Sequence, residues 1–163
     1  MTLRFCMVFI LAATLASCGF QLRGSNLETL KNSHVYIKSG GAGELAAQIK
    51  KQLEFANVPV VKDADKADYI IEVEHEKFDR SVLSVSAHTG KVEEYELTYY
   101  ASLSIKGPDG RDLLQNEPVT ARRDYTFDEN SVLGKYDEEK KLREEITRYA
   151  ADTVLRRLQA LTR

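Results

Sequence analysis

Cysteine, proline and tryptophan are scarce in this sequence, whose 163 residues include two, three and none of them, respectively. Two cysteines cannot form a disulfide-rich scaffold or supply a four-cysteine zinc site. Basic residues are not in excess either, because 23 Lys and Arg stand against 25 Asp and Glu, for a net charge of −2. A general nucleic-acid-binding protein is therefore not indicated. The remaining composition, 43% hydrophobic and 29% charged residues, indicates one globular domain with a core and excludes low-complexity disorder and a multi-span membrane protein.

The N-terminus carries the longest apolar run. Residues Phe5–Ala16 follow Arg4 and contain one polar residue, Thr14. This run is shorter than the roughly 20 residues that a transmembrane helix requires, and it fits the apolar region of a secretory signal peptide. A buried core helix is the alternative, but the N-terminal position and the preceding arginine favour the signal.

The apolar run ends in LASC at positions 15–18, followed by Gly19. Small residues before a cysteine at this place resemble the lipobox of bacterial lipoproteins. The resemblance implies that residues 1–17 are removed and that Cys18 carries a lipid on its sulfur and on its new amino group. Because Gly19 stands where an inner-membrane-retention aspartate would stand, it also implies sorting to the outer membrane, with the protein anchored on the periplasmic side.

The mature chain then divides into a tether over 18–33 and a single domain over 34–163. Alternating and helical apolar patterns predict the order β-α-β-β-β-β-α. The predicted elements are strands at His34–Lys38, Tyr69–Phe78, Ser81–Ala87, Glu93–Lys106 and 113–127, with helices over Ala42–Ala56 and from Asp137 to the C-terminus. The second and third strands are predicted to pair as a hairpin.

The strand Glu93–Lys106 has the clearest pattern. Its odd positions are apolar or aromatic and its even positions, Thr98 among them, are mostly polar, which predicts one buried and one solvated face. The last helix carries an apolar stripe made of Leu142, Ile146, Tyr149, Ala150, Thr153, Val154, Leu158 and Leu161. Together these patterns predict an α+β fold, a two-layer sandwich with two helices on one face of a mostly antiparallel four- to five-stranded sheet.

No catalytic or metal-binding pattern is evident. His34 begins a strand, His88 lies in a turn, and His75 alternates with Glu72, Glu74 and Glu76, so that strand geometry turns it away from them. The segment from Ser39 to Gly43 precedes a helix and offers either an anion site or, as we favour, a plain turn. The sequence predicts neither an enzyme nor a bound metal or cofactor.

The residues after the lipobox resemble a known family. Cys18 is followed by GFQLRG at 19–24, and mature members of the LPS-assembly lipoprotein (LptE) family commonly open with such a run. A second match, with Gly90, Lys91, Glu94 and Tyr95 opening the long strand, is shorter. The resemblance implies a partner of the outer-membrane barrel LptD that sits in the barrel as a plug and helps carry lipopolysaccharide to the cell surface.

Two lysines are implicated by the same resemblance. The family places lipopolysaccharide-contacting basic residues after the glycine before the long strand, which matches Lys91, and in the loop before the last helix, which matches Lys135. Cations suit the phosphates and carboxylates of that ligand. The alternative is two ordinary surface lysines. For the whole protein, the alternative is a structural outer-membrane lipoprotein that binds another periplasmic partner without a lipid ligand; a lipid-anchored hydrolase is disfavoured by the histidine positions.

Overall fold

A computed structural model describes residues 27–127 and 132–162, and for residues 132–137 it describes the backbone alone. The strands are β1 (Val35–Gly40), β2 (Val60–Val61), β3 (Tyr69–Val85), β4 (Val92–Lys106) and β5 (Asp112–Thr126). The helices are α1 (Gly43–Phe55) and α2 (Val132–Leu161), with short 3-10 helices at Leu27–Leu30 and Ala64–Lys66.

The five strands form one sheet in the order β2-β1-β3-β4-β5. β1 is parallel to both of its neighbours, because α1 carries the chain back along the sheet before β2 and β3 begin. β3, β4 and β5 are antiparallel and are joined by tight turns at Gly90 and Gly110, both of which have positive φ. The predicted α+β fold, with two helices against a mostly antiparallel sheet, is confirmed.

The core lies between the helices and one face of the sheet. On β4 the residues that face the helices are those predicted from the alternation: Leu97, Tyr99, Ala101, Leu103 and Ile105. α1 buries Leu45, Ile49 and Leu53, and α2 buries Ile146, Ala150, Ala151, Val154, Leu155 and Leu158. The predicted stripe of α2 is wrong at Tyr149 and Leu161, which are 41% and 37% exposed, because the sheet meets the helix along the side that carries Ala151 and Leu155.

The predicted hairpin between Tyr69–Phe78 and Ser81–Ala87 is wrong, since the two segments form one strand, β3. β3 pairs with β4 throughout, and the reversal occurs after Val85. The chain does not reverse at Asp79 and Arg80, because β4 is long enough to pair with both halves of β3.

A β-bulge divides β3. Glu74 pairs with Ser102 and Lys77 with Tyr100, so His75 and Glu76 together stand opposite a single residue of β4. His75 has a φ of 57°, which is uncommon for a residue with a side chain. The extra residue reverses the alternation, and Glu76 therefore points to the helices rather than sharing the predicted polar face of Glu72 and Glu74.

Thr98 is also placed differently from its prediction. It lies on the helix-free face of β4 but is only 7% exposed. Asp79 and Arg122 flank it in register on the neighbouring strands, and its hydroxyl donates to Glu96 at 3.2 Å. Longer neighbouring side chains therefore surround this short one and keep it from water.

Both edges of the sheet are short or irregular. β2 has only two residues, and β5 shifts register against β4 on both sides of the Ile105–Leu114 pair. Asn116 of β5 has a φ of 52°, and Pro118 two residues later has no N–H. The outer strand therefore does not present a regular row of hydrogen-bonding groups.

The packed part of the molecule includes residues predicted as tether. The 3-10 helix Leu27–Leu30 buries Leu27 and Leu30 in the core cluster. Thr29 and Thr162 approach within 3.3 Å, which places this segment beside the end of α2. Residues 27–30 of the predicted tether therefore belong to the folded domain, and residues 18–26 of it lie outside the described part of the chain.

Candidate functional site

At the end of the sheet formed by the β3–β4 turn, three large apolar side chains of β3 are exposed. Val82, Leu83 and Val85 are 51%, 48% and 54% exposed, although all three are apolar. They lie directly before the turn, and Val85 pairs with Val92 at the start of β4. We call these three residues the apolar tip. Sequence analysis missed them, although the run VLSV at 82–85 was already a signal in a strand that needed only one buried face.

Lys91 lies at this turn, immediately before β4, as the sequence predicted. The N–H of Ser86 donates to the carbonyl of Lys91 at 2.8 Å, and the N–H of Gly90 donates to the carbonyl of Ser86 at 2.8 Å. Gly90 has a φ of 68°, a conformation that suits a residue without a side chain. These bonds fix the backbone of Lys91, whose side chain is exposed beside the apolar tip.

An aromatic and ionic cluster ties the same end of the sheet to α2. The Tyr95 ring stacks on Tyr125 at 5.8 Å and meets Phe127 edge-on at 5.1 Å. The guanidinium of Arg80 lies 4.8 Å from the Tyr95 ring centre and 3.7 Å from the carboxylate of Glu139 on α2. A hydrogen bond with Tyr125 is the main reason that the pKa of Arg80 is raised, so its charge is retained.

Lys135 belongs to α2 and not to a loop. The prediction began the last helix at Asp137, but the helix begins at Val132, so Lys135 has a helical backbone. Gly134 is a poor helix former and Asp137 a common N-cap residue, and together they made the sequence resemble a loop followed by a cap. The Lys135 side chain lies outside the described part of the structure. Its backbone is one helical turn before Glu139.

Lys91 and the start of α2 are at the same end of the sheet. The N–H of Phe127 donates to the carbonyl of Glu93 at 2.7 Å, which holds the end of β5 beside the start of β4. Glu139 near the start of α2 then contacts Arg80 of β3. The topology therefore brings together the two segments that carry the sequence-predicted lysines.

The Ser39–Gly43 loop was considered above as an anion site. The helix start that follows this loop binds a carboxylate of the protein itself, that of Glu76. One carboxylate oxygen of Glu76 accepts from the N–H of Leu45 and the other from the N–H of Glu44, both at 3.2 Å. The hydroxyl of Tyr99 donates to Glu76 at 2.9 Å. Burial, and secondarily the Glu76 carboxylate, raises the pKa of Tyr99, so this hydroxyl stays a donor. The N–H groups at the start of α1 therefore stabilise the fold by binding Glu76.

The described residues contain no group of His, Cys, Asp and Glu side chains able to hold a metal ion. His75 is exposed at the bulge, and His34 contacts Asp68 at 3.3 Å. No described helix is both long and apolar enough to cross a membrane. The predicted signal peptide and the predicted lipid-attachment site at Cys18 lie outside the described residues.

The described part of the chain is thus a two-layer α+β domain whose distinctive surface is an apolar and basic sheet end. The chain belongs to the LptE family, described as lipopolysaccharide-assembly, whose model matches residues 32–158. This membership confirms the resemblance, the role in lipopolysaccharide assembly and the prediction that the protein is not an enzyme.

Named relatives and solved structures agree with this assignment. The chain is 27% identical to the LPS-assembly lipoprotein LptE of Photorhabdus laumondii over 88% of its own length and 78% of the relative's. It is 31% identical to the protein of the same name from Pectobacterium atrosepticum, over 88% of its own length and 77% of the relative's.

Among solved structures, rare lipoprotein B from Shewanella oneidensis superposes with a TM-score of 0.66 at 28% identity, over 78% of this chain and 94% of that one. Lipoprotein B from Nitrosomonas europaea superposes with a TM-score of 0.70 at 26% identity, over 88% of this chain and 92% of that one.

Proposed function

We propose that this protein is a lipid-anchored outer-membrane lipoprotein that binds lipopolysaccharide at the β3–β4 end of its sheet and assists an LptD-type barrel. Membership in the lipopolysaccharide-assembly family supports the general role. The proposal adds to that role a lipid anchor at Cys18, a barrel partner, a position on the periplasmic side, and lipopolysaccharide contacts at Lys91 and Lys135.

The observation that carries the binding site is the adjacency of a cation to exposed apolar side chains. Lys91 immediately precedes Val92, and Val92 pairs with Val85 of the apolar tip. Lipopolysaccharide combines phosphates and carboxylates with acyl chains. An ammonium group therefore suits the anionic part and exposed valine and leucine suit the apolar part.

Lys135 would add a second cation from the start of α2. The aromatic and ionic cluster around Tyr95 and Arg80 holds α2 against the strands that carry the apolar tip. Such rigid support is what a binding surface needs if its contacts are to be made without a large ordering cost.

The helix-free face of the sheet supports the association with a barrel. Its polar side chains include the ion pairs Lys38–Glu72 and Arg122–Glu96, and the Lys77 ammonium lies over the Tyr100 ring. A barrel lumen is polar, so a protein inside it requires a charged, hydrogen-bonding exterior.

The test replaces both lysines by aspartate, Lys91→Asp with Lys135→Asp, in the full-length lipoprotein purified in uncharged detergent. We expect the affinity for purified lipopolysaccharide to fall at least about tenfold, because two cations become anions facing phosphate. Circular dichroism and copurification with the barrel are expected to remain unchanged.

The matched control is Lys51→Asp with Lys62→Asp, which makes the same charge change at two exposed lysines of α1 and the segment after β2. Equal loss in both double variants would show that only net charge matters. Unchanged affinity in Lys91→Asp with Lys135→Asp would refute the site. Failure of the wild-type protein to copurify with any barrel would favour the structural lipoprotein with another partner.

A further inference from the structure

A second basic surface lies along the outer edge of the sheet, where β5 meets α2. The ring of Tyr149 on α2 is 41% exposed. The guanidinium carbon of Arg123 on β5 lies 5.4 Å from its centre, and that of Arg156 on α2 lies 5.7 Å from it. Both distances are within the range of cation–π attraction, so one ring positions two guanidinium groups from different elements.

Neighbouring groups hold these arginines further. Arg156 donates to the Thr153 hydroxyl at 2.7 Å, and Arg123 donates to the carbonyl of Arg122 at 3.0 Å. Arg157, next on the helix, donates to the carbonyl of Pro118 at 3.0 Å. We call Arg123 and Arg156 around Tyr149 the arginine cluster, while the Arg157 guanidinium lies further along β5, beside Pro118. Each guanidinium has five N–H donors, so most donors of the cluster stay available to a ligand.

The cluster lacks the carboxylates that other arginines of the fold have. Arg80, Arg111, Arg122 and Arg143 each form an ion pair with an acidic side chain. Among the residues that the structure describes, none forms such a pair with Arg123, Arg156 or Arg157. Asp152 lies one helical turn before Arg156, but Arg156 points to Thr153 and Tyr149 instead. Ion pairs within the fold therefore do not explain why these arginines lie together.

We propose that the arginine cluster is a binding site for a phosphate group, of the monoester or diphosphate class. Two guanidiniums held by one ring favour a ligand with more than one negative charge, and phosphate carries about 1.5 to 2 at neutral pH. The planar fork of arginine matches two phosphate oxygens at once, which a lysine ammonium cannot do. A soluble phosphate compound and a lipid headgroup share this chemistry.

The site is separate from the surface that carries Lys91. Arg123 pairs with Leu97 on β4, six residues after Lys91, which corresponds to about 20 Å of extended strand. The inference therefore goes beyond the proposed lipopolysaccharide contact and does not depend on it.

The experiment uses the full-length lipoprotein in uncharged detergent and measures binding by titration calorimetry of two probes. The first probe is inorganic pyrophosphate, and the second is phosphatidic acid added to the micelles, with undoped micelles as the blank. We expect Arg123→Gln with Arg156→Gln to weaken binding of whichever probe the wild type takes by about tenfold or more. Binding of pyrophosphate assigns a soluble ligand, and binding of phosphatidic acid alone assigns a lipid.

The matched control is Arg111→Gln with Arg122→Gln, which removes the same charge from two carboxylate-paired arginines and is expected to leave affinity unchanged. Arg123→Lys with Arg156→Lys keeps charge and fold but loses the planar forks, so a weakening of several-fold is expected. The proposal is overturned if the wild type binds neither probe or if the glutamine and control variants weaken binding equally. Tighter binding of an acidic peptide than of either probe would also overturn it, by assigning the surface to a protein partner.

Discussion

Glu76 connects the sheet to the first helix. Ala42, at the N-cap position of α1, makes no side-chain hydrogen bond, so the free N–H groups of the first turn need another partner. The bulge at His75 turns the Glu76 carboxylate toward them, and the Tyr99 hydroxyl completes its contacts. A negative charge is favourable at a helix start, so one side chain satisfies three donors.

Glu76→Ala is expected to reduce the free energy of unfolding by about 2–4 kcal/mol, since it removes charge-assisted bonds and leaves the half-buried donors unpaired. Urea denaturation followed by circular dichroism measures the change. Glu117→Ala, an exposed carboxylate of β5, is the control and is expected to stay within about 0.5 kcal/mol of wild type. Equal denaturation midpoints for the two variants would contradict this role of Glu76.

β4 and α2 each contribute fully buried side chains to the core. Leu103 on β4 and Ile146 on α2 are 0% and 1% exposed. Truncation of either to alanine is expected to cost about 2–5 kcal/mol, because it removes buried methyl groups and leaves a cavity. Denaturation midpoints measure the loss.

Thr120→Ala, an exposed position on β5, is the control for these core variants and is expected to change stability by no more than about 0.5 kcal/mol. Thr98, which the sequence placed on the solvated face, is unsuitable because it is 7% exposed. A core variant as stable as Thr120→Ala would show that its side chain is not packed as the structure has it.

Strands and helices with an uninterrupted period were predictable from sequence. β4 and α1 are examples, since each keeps one apolar face over its length. The bulge of β3 was not, because alternation carries no sign of a positive φ at His75, and the reversed face of Glu76 followed from that omission. The start of α2 was missed because Gly134 and Asp137 are typical of helix boundaries, whereas this helix continues through them.

The two candidate sites also differ in how far the sequence alone could locate them. The turn that places Lys91 is local, so its glycine and the following strand pattern were enough to locate it. The arginine cluster joins Arg123 to residues 26 and 33 positions later, and only the packing of α2 on β5 brings them together. The helical spacing of Tyr149, Thr153 and Arg156 was visible, but Tyr149 was assigned to the apolar stripe.

The anchor and the folded domain are expected to be independent. Within the described residues the core includes Leu27, which is nine residues after Cys18, a distance of at most about 32 Å for an extended chain. Cys18→Ala is therefore expected to abolish lipidation without changing the thermal midpoint of the domain. Metabolic labelling with a palmitate analogue measures the first effect and circular dichroism the second.

Cys6→Ala, a substitution in the predicted signal peptide, is the control and is expected to keep the label. Label on the Cys18→Ala variant would contradict the assigned lipid site, and a lowered thermal midpoint would show that the residues before Leu27 contribute to the fold.

The irregular edges of the sheet affect how copies of the chain meet. A sheet grows from one molecule to the next when an open strand offers a continuous ladder to a second strand. Here one edge strand ends after two residues, and the other is interrupted at Asn116 and Pro118. Neither edge can template a long intermolecular β-sheet, so the protein can be crowded with other copies without starting a fibril.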